Sequence, residues 1–145
     1  MTFAAVVSFP TIVTLAAVVG FFSSAAEYVF KQDVIVHAAR GFDTKPEIVI
    51  SLQANSPELC AQDLDKAIRK LHDNDRNEIF SVDMNLIQNA AFRIMKYDYV
   101  FQHSISTRSG VFTTGYIDVH HQEDVDYLNA NCQPCEHIGE EEKVE

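Results

Sequence analysis

The chain has 145 residues, with 21 Asp and Glu against 11 Lys and Arg and a formal charge of -10. A chain of this length is one domain's worth, and its excess of acid excludes nucleic-acid binding as its main work, because such proteins gather Lys and Arg on one face. A hydrophobic content of 47% excludes wholesale disorder, and three cysteines are too few for a disulfide scaffold.

The charge is unevenly placed. Residues 1–26 carry no charged side chain, and 18 of those 26 are hydrophobic. From Asp118 onward there are nine acids and one lysine, whereas Glu27 to Ile117 is nearly balanced. The chain therefore divides into an apolar leader over 1–26, a body over 27–121 and an acidic tail over 122–145.

Phe3 to Ala26 is 24 residues, long enough as a helix to cross a bilayer core of about 30 Å. Val6, Ile12, Leu15, Val18 and Phe22 would surround such a helix on all sides, so it must be buried in lipid or in protein. The leading expectation is a single membrane-spanning helix in a lipid bilayer. Lys31, Arg40 and Lys45 after it would then place the body on the cytoplasmic side. Two other readings stand beside it. Ser24 and Ala26 suit a cleaved secretory signal, although a basic leader is missing. Pro10 and Gly20 would instead punctuate a helix pair or strand pair buried in a core or oligomer.

Glu27 to Arg40 reads as helix or as strand, since Val34-Ile35-Val36 is β-branched. Glu47 to Leu52 alternates as a strand, with Ile48, Ile50 and Leu52 on one face. Ser56-Pro57-Glu58 has the chemistry of a helix start, and Cys60, Leu64, Ala67, Ile68 and Leu71 form an apolar stripe behind it. Glu78 to Val82 is a short strand. Asp83 would cap a second helix with apolar positions Met84, Ile87, Ala91, Ile94 and Met95. Tyr97 to Ile105 and Val111 to Val119 would form a hairpin about the turn 106–110. The expected fold is α+β: an apolar N-terminal helix, then a small, largely antiparallel sheet with two helices on one face.

The sequence contains no Gly-rich phosphate loop, dinucleotide fingerprint or Gly-x-Ser-x-Gly elbow, so no reaction is named. Ligand-type residues gather only near the end. His120 with Cys132, Cys135 and His137 could complete a tetrahedral zinc site, because two cysteines separated by two residues can reach one ion. A thiol-redox pair is the other use of those cysteines. Cys60 is expected in the core, and the acidic end in solvent. The functional expectation is a non-catalytic subunit, anchored in a membrane or embedded in an assembly, whose body binds protein partners or further copies of itself. The alternative is a small zinc-binding or thiol-redox protein, secreted after loss of residues 1–26.

Overall fold

A computed structural model describes residues 2–8, 14–20 and 31–131. Its elements in chain order are β1 (Thr2–Ser8), β2 (Thr14–Gly20), α1 (Lys31–Arg40), β3 (Ile48–Leu52), α2 (Ala61–Asp73), β4 (Glu78–Val82), β5 (Gln88–Lys96), α3 (Tyr97–Val100), β6 (Ser109–Thr113) and α4 (Gln122–Asn131). The fold is α+β, with one sheet in the order β1-β2-β3-β5-β4-β6.

The apolar leader is not a long helix. Two seven-residue strands occupy Thr2–Ser8 and Thr14–Gly20 and pair antiparallel, with Thr2 opposite Gly20 and Ser8 opposite Thr14. Pro10 falls between them in sequence, and the Val and Thr residues suit strands. Among the described residues no helix is long and apolar enough to cross a membrane.

The sheet is mixed. β3 pairs antiparallel with β5, and β5 antiparallel with β4, while β2 runs parallel to β3 and β4 parallel to β6. Four strands, β2, β3, β4 and β6, therefore point the same way and end on one edge of the sheet. That edge carries the loops after Leu52, Val82 and Thr113.

Alternation along the central strands separates two cores. Ile48 and Ile50 of β3, Ile79 of β4 and Phe92 and Ile94 of β5 pack against Ala67 and Leu71 of α2. Val49 and Met95 pack the opposite way, against Ile35 and Ala39 of α1 and Val100 of α3. Helices thus cover both faces, where the sequence pattern suggests one. The cause lies in β3 and β5. They are apolar on both sides, as strands inside a covered sheet must be.

Four elements differ from the sequence expectation, each for a local reason. α2 begins at Ala61 rather than at Ser56, because Ser56-Pro57-Glu58 serves tertiary contacts. Leu59 N–H closes a turn onto Ser56 O at 3.2 Å, and the Glu58 carboxylate accepts Ile117 N–H at 2.7 Å. Residues 83–95 form a hairpin turn and strand instead of a helix. Asp83 does cap, but it caps a turn: its Oδ1 accepts the N–H groups of Asn85 and Ile87, both at 2.8 Å. Leu86 then takes φ 64, a left-handed conformation that ends any helix. Tyr97–Val100 is one helical turn rather than a strand, and it brings Tyr97 and Phe101 edge to face at 5.2 Å. α4 falls within the segment read as an acidic tail. The Asp124 carboxylate accepts N–H from both His120 and His121 at its start, and Leu128 is buried.

Candidate functional site

The loop after β3 organises the shared strand edge. Gln53 continues the alternation of Val49 and Ser51 and so lies on the α1 face, while its N–H is held by Ala91 O at 3.1 Å. Asn55 turns the other way. Its side-chain amide donates to Asp118 Oδ1, and its carbonyl accepts Val119 N–H at 2.9 Å. Together with Glu58 on Ile117 N–H and Tyr116 OH on Asp63 Oδ2 at 2.5 Å, these bonds stitch the segment 116–119 onto residues 55–63.

A cavity opens on each side of this loop. The larger, about 500 Å³, lies between the loop and α4 and is lined by Ala54, Asn55, Pro57, Val119, Val125 and Leu128. The smaller, about 170 Å³, lies between α1 and the sheet. Its lining is of a different kind: Lys31, Arg93, Gln53, Gln88, Ser51 and Ser81 supply cationic and amide or hydroxyl groups, beside the apolar Phe80 and Ile35. The register of β4 against β5 shifts between Phe80 and Val82, and Ser81 Oγ there accepts Phe92 N–H at 3.0 Å. Such irregularities re-aim side chains, and here the shifted stretch borders the cavity.

Arg93 is held on several sides. Its Nε and Nη2 donate to Glu78 Oε2 at 3.2 and 2.6 Å, and its Nη1 donates to Gln32 Oε1 at 2.8 Å. The guanidinium also lies 4.9 Å from the Phe80 ring centroid, a cation–π geometry. Three of its five N–H donors are thus engaged, leaving two for a bound group. Glu78 is fully buried, and every buried polar side-chain atom among the described residues has a partner.

Two carboxylates on this edge are shifted. Burial raises Asp63, but hydrogen bonds from Tyr116, Lys66 and Cys60 outweigh it and hold it below its ordinary value. Asp124 is held low by the backbone N–H groups of His120 and His121. The Tyr116 phenol is pushed well up, first by burial and then by Asp63.

Of the residues expected to bind zinc, His120 lies on this edge, exposed, with Nε2 at 2.8 Å from Asp118 Oδ2. Cys132, Cys135 and His137 lie outside the described residues. Among the described residues no cluster of three or more His, Cys, Asp or Glu is placed to hold a metal. Cys60 is half-buried beside Tyr116, its Sγ 3.9 Å from the phenol oxygen. The sequence reading misses Lys31, Gln53, Gln88 and Arg93. One signal was available: Arg93 interrupts the apolar run Ala90 to Met95, and an arginine inside a covered strand needs a partner or a task.

No family model matches the chain, and no curated protein matches it. Among solved structures it is similar to a 4-diphosphocytidyl-2C-methyl-D-erythritol synthase from Anaerococcus prevotii, at 12% identity and TM-score 0.49. The match covers 71% of this chain and 66% of that one, just under two thirds of its length. A likeness of that extent assigns no role to any residue here.

Proposed function

We propose that this chain binds a small molecule carrying an oxyanion, a phosphate or carboxylate, at the edge of the sheet where β2, β3, β4 and β6 end. The observation that carries the reading is the cavity of about 170 Å³ that joins Lys31 and Arg93 with the amides of Gln53 and Gln88. Ligands of open α/β sheets sit outside the carboxyl ends of the strands, and sites of this kind combine an apolar floor with a few convergent polar groups. Phe80 and Ile35 supply the apolar part, and the two unengaged N–H groups of Arg93 suit an oxyanion.

The test is an NMR titration of the whole chain with inorganic phosphate, pyrophosphate and citrate. The reading expects saturable shifts at the Gln53 and Gln88 side-chain amides and at the Arg93 guanidinium. Arg93→Gln should weaken binding by about tenfold or more, or roughly 1.4 kcal/mol and upward. Three flat titrations would overturn it.

A second reading, an interaction subunit for protein partners or further copies of the chain, is favoured by the turn between β4 and β5. Met84, Leu86 and Ile87 are 78%, 66% and 64% exposed there, adjacent in sequence. Light scattering across a dilution series, with Leu86→Asp as the comparison, tests self-association. Pull-down with the same pair of proteins tests a foreign partner.

A further inference from the structure

The carboxylate of Glu78 divides its two oxygens between separate parts of the molecule. Oε2 accepts Arg93 Nε and Nη2 at 3.2 and 2.6 Å, while Oε1 accepts Ser106 N–H at 2.8 Å and Ser109 Oγ–H at 2.6 Å. Glu78 is 0% exposed. The segment around Ser106 is tied down further by Asn77 Nδ2, which donates to Ser106 Oγ at 3.1 Å, and by Asn77 N–H on Arg108 O at 3.0 Å. Ser106 does not line the cavity, and Arg93 does. One buried side chain therefore connects a cavity-lining cation to a segment outside the cavity.

We propose that Glu78 is a positioning residue: it fixes the guanidinium of Arg93 in the orientation that presents its free N–H groups to the oxyanion, and it couples that orientation to the 104–109 segment. This rests on the oxyanion-binding reading. An arginine side chain loses much freedom when ordered, and that loss is met in advance when a carboxylate and Gln32 already hold the fork. The orientation also excludes a simple charge effect as the reason for the pair. Glu78 places a negative charge beside the cavity, and by Coulomb's law alone that charge opposes anion binding.

The opposition of signs makes the test sharp. Glu78→Gln keeps the shape and one acceptor but removes the charge. If Glu78 were only a nearby charge, or only a structural tie, the variant would bind pyrophosphate as well as or more tightly than the natural chain. Positioning expects the reverse, a loss of about tenfold or more, the scale of one oriented charged hydrogen bond. Equal or tighter binding by a folded Glu78→Gln overturns the proposal.

A second readout needs neither ligand nor variant. In the natural chain the Arg93 Nε–H should exchange slowly with solvent, and rotation of its guanidinium should be hindered on the NMR timescale. Free rotation overturns the proposal even if Glu78→Gln cannot be prepared folded. In Arg93→Gln, amide exchange at Ser106 should rise about tenfold or more while Ile50 and Leu71 stay protected; an unchanged Ser106 refutes the coupling. If no pyrophosphate binds while the guanidinium is held, the oxyanion reading falls and the mechanical link from Arg93 to Ser106 is still decided by the last two measurements.

Discussion

Removing the Tyr116 hydroxyl tests how firmly the segment 116–119 is held to the loop after β3. Tyr116 OH donates to Asp63 Oδ2 at 2.5 Å, and the ring packs beside the core under α2. Tyr116→Phe keeps the ring and loses the bond. A hydrogen bond to a charged group contributes about 1.5–3 kcal/mol. The lower end applies here, because the Asp63 side chain keeps 25% exposure and retains Lys66 at 3.2 Å. With a urea m-value of about 1.5 kcal/mol per molar, the midpoint should fall by about 1 M at pH 7 with m unchanged. Acid supplies the control. Asp63 is depressed in the folded chain by the Tyr116 and Lys66 bonds despite the opposing effect of burial. Its contribution is therefore present above the unfolded carboxylate value, about 3.9, and is lost as pH falls through the lower folded value. The gap between the two proteins should narrow below about pH 4 for the same reason. Equal midpoints at pH 7, or a gap that stays constant to pH 2.5, would refute the assignment.

Three further perturbations probe other parts of the fold. A Cβ on Gly110 would lie 2.7 Å from Ile79 Cδ1, and Ile79 is fully buried, so Gly110→Ala should destabilise by about 1–3 kcal/mol in urea melts. Leu86 holds φ 64 with 66% of its surface exposed, so Leu86→Gly should leave stability unchanged or raise it by about 1 kcal/mol, with any self-association weakened. For the zinc reading of His120, Cys132, Cys135 and His137, the expected result is stoichiometric zinc in the purified chain that Cys132→Ser removes. Metal-free protein whose melting temperature ignores that substitution would end it.

The parts of the fold legible in the sequence are those with clear turn residues at their ends or one wet face. β4 was readable to its ends, and β3 to within a residue, because turn residues bound both and β-branched residues fill them. The apolar stripe of α2, with Ala67 and Leu71 buried and Lys66 and Lys70 exposed, was also plain. β5 was not. Ala91, Phe92, Ile94 and Met95 are buried against helices on opposite faces, so the strand shows no alternation, and its apolar spacing imitates a helix. The leader fails in the same way. An uncharged run of Val, Ala and Thr fits a span or a strand pair equally well, and length alone favoured the span.

The site was less legible than the fold because its residues are assembled by topology. Lys31 opens α1, Gln53 follows β3, and Gln88 and Arg93 belong to a strand inserted antiparallel between β3 and β4. No spacing in the sequence relates them, since the crossing from α1 to β5 is set by which strands pair. Glu78 and Arg93 still left a trace. They are the charged residues of β4 and the interior of β5, and an ion pair inside a covered sheet must be matched across neighbouring strands. The observed register does this, placing Phe80 opposite Arg93 and Glu78 opposite Met95, so the two charged residues stand two places apart on one face. A one-residue slip would send them to opposite faces and leave a buried carboxylate without its counter-charge. The pair thus favours the strand register that builds the cavity, and the carboxylate that holds the guanidinium also helps to fix the sheet around it.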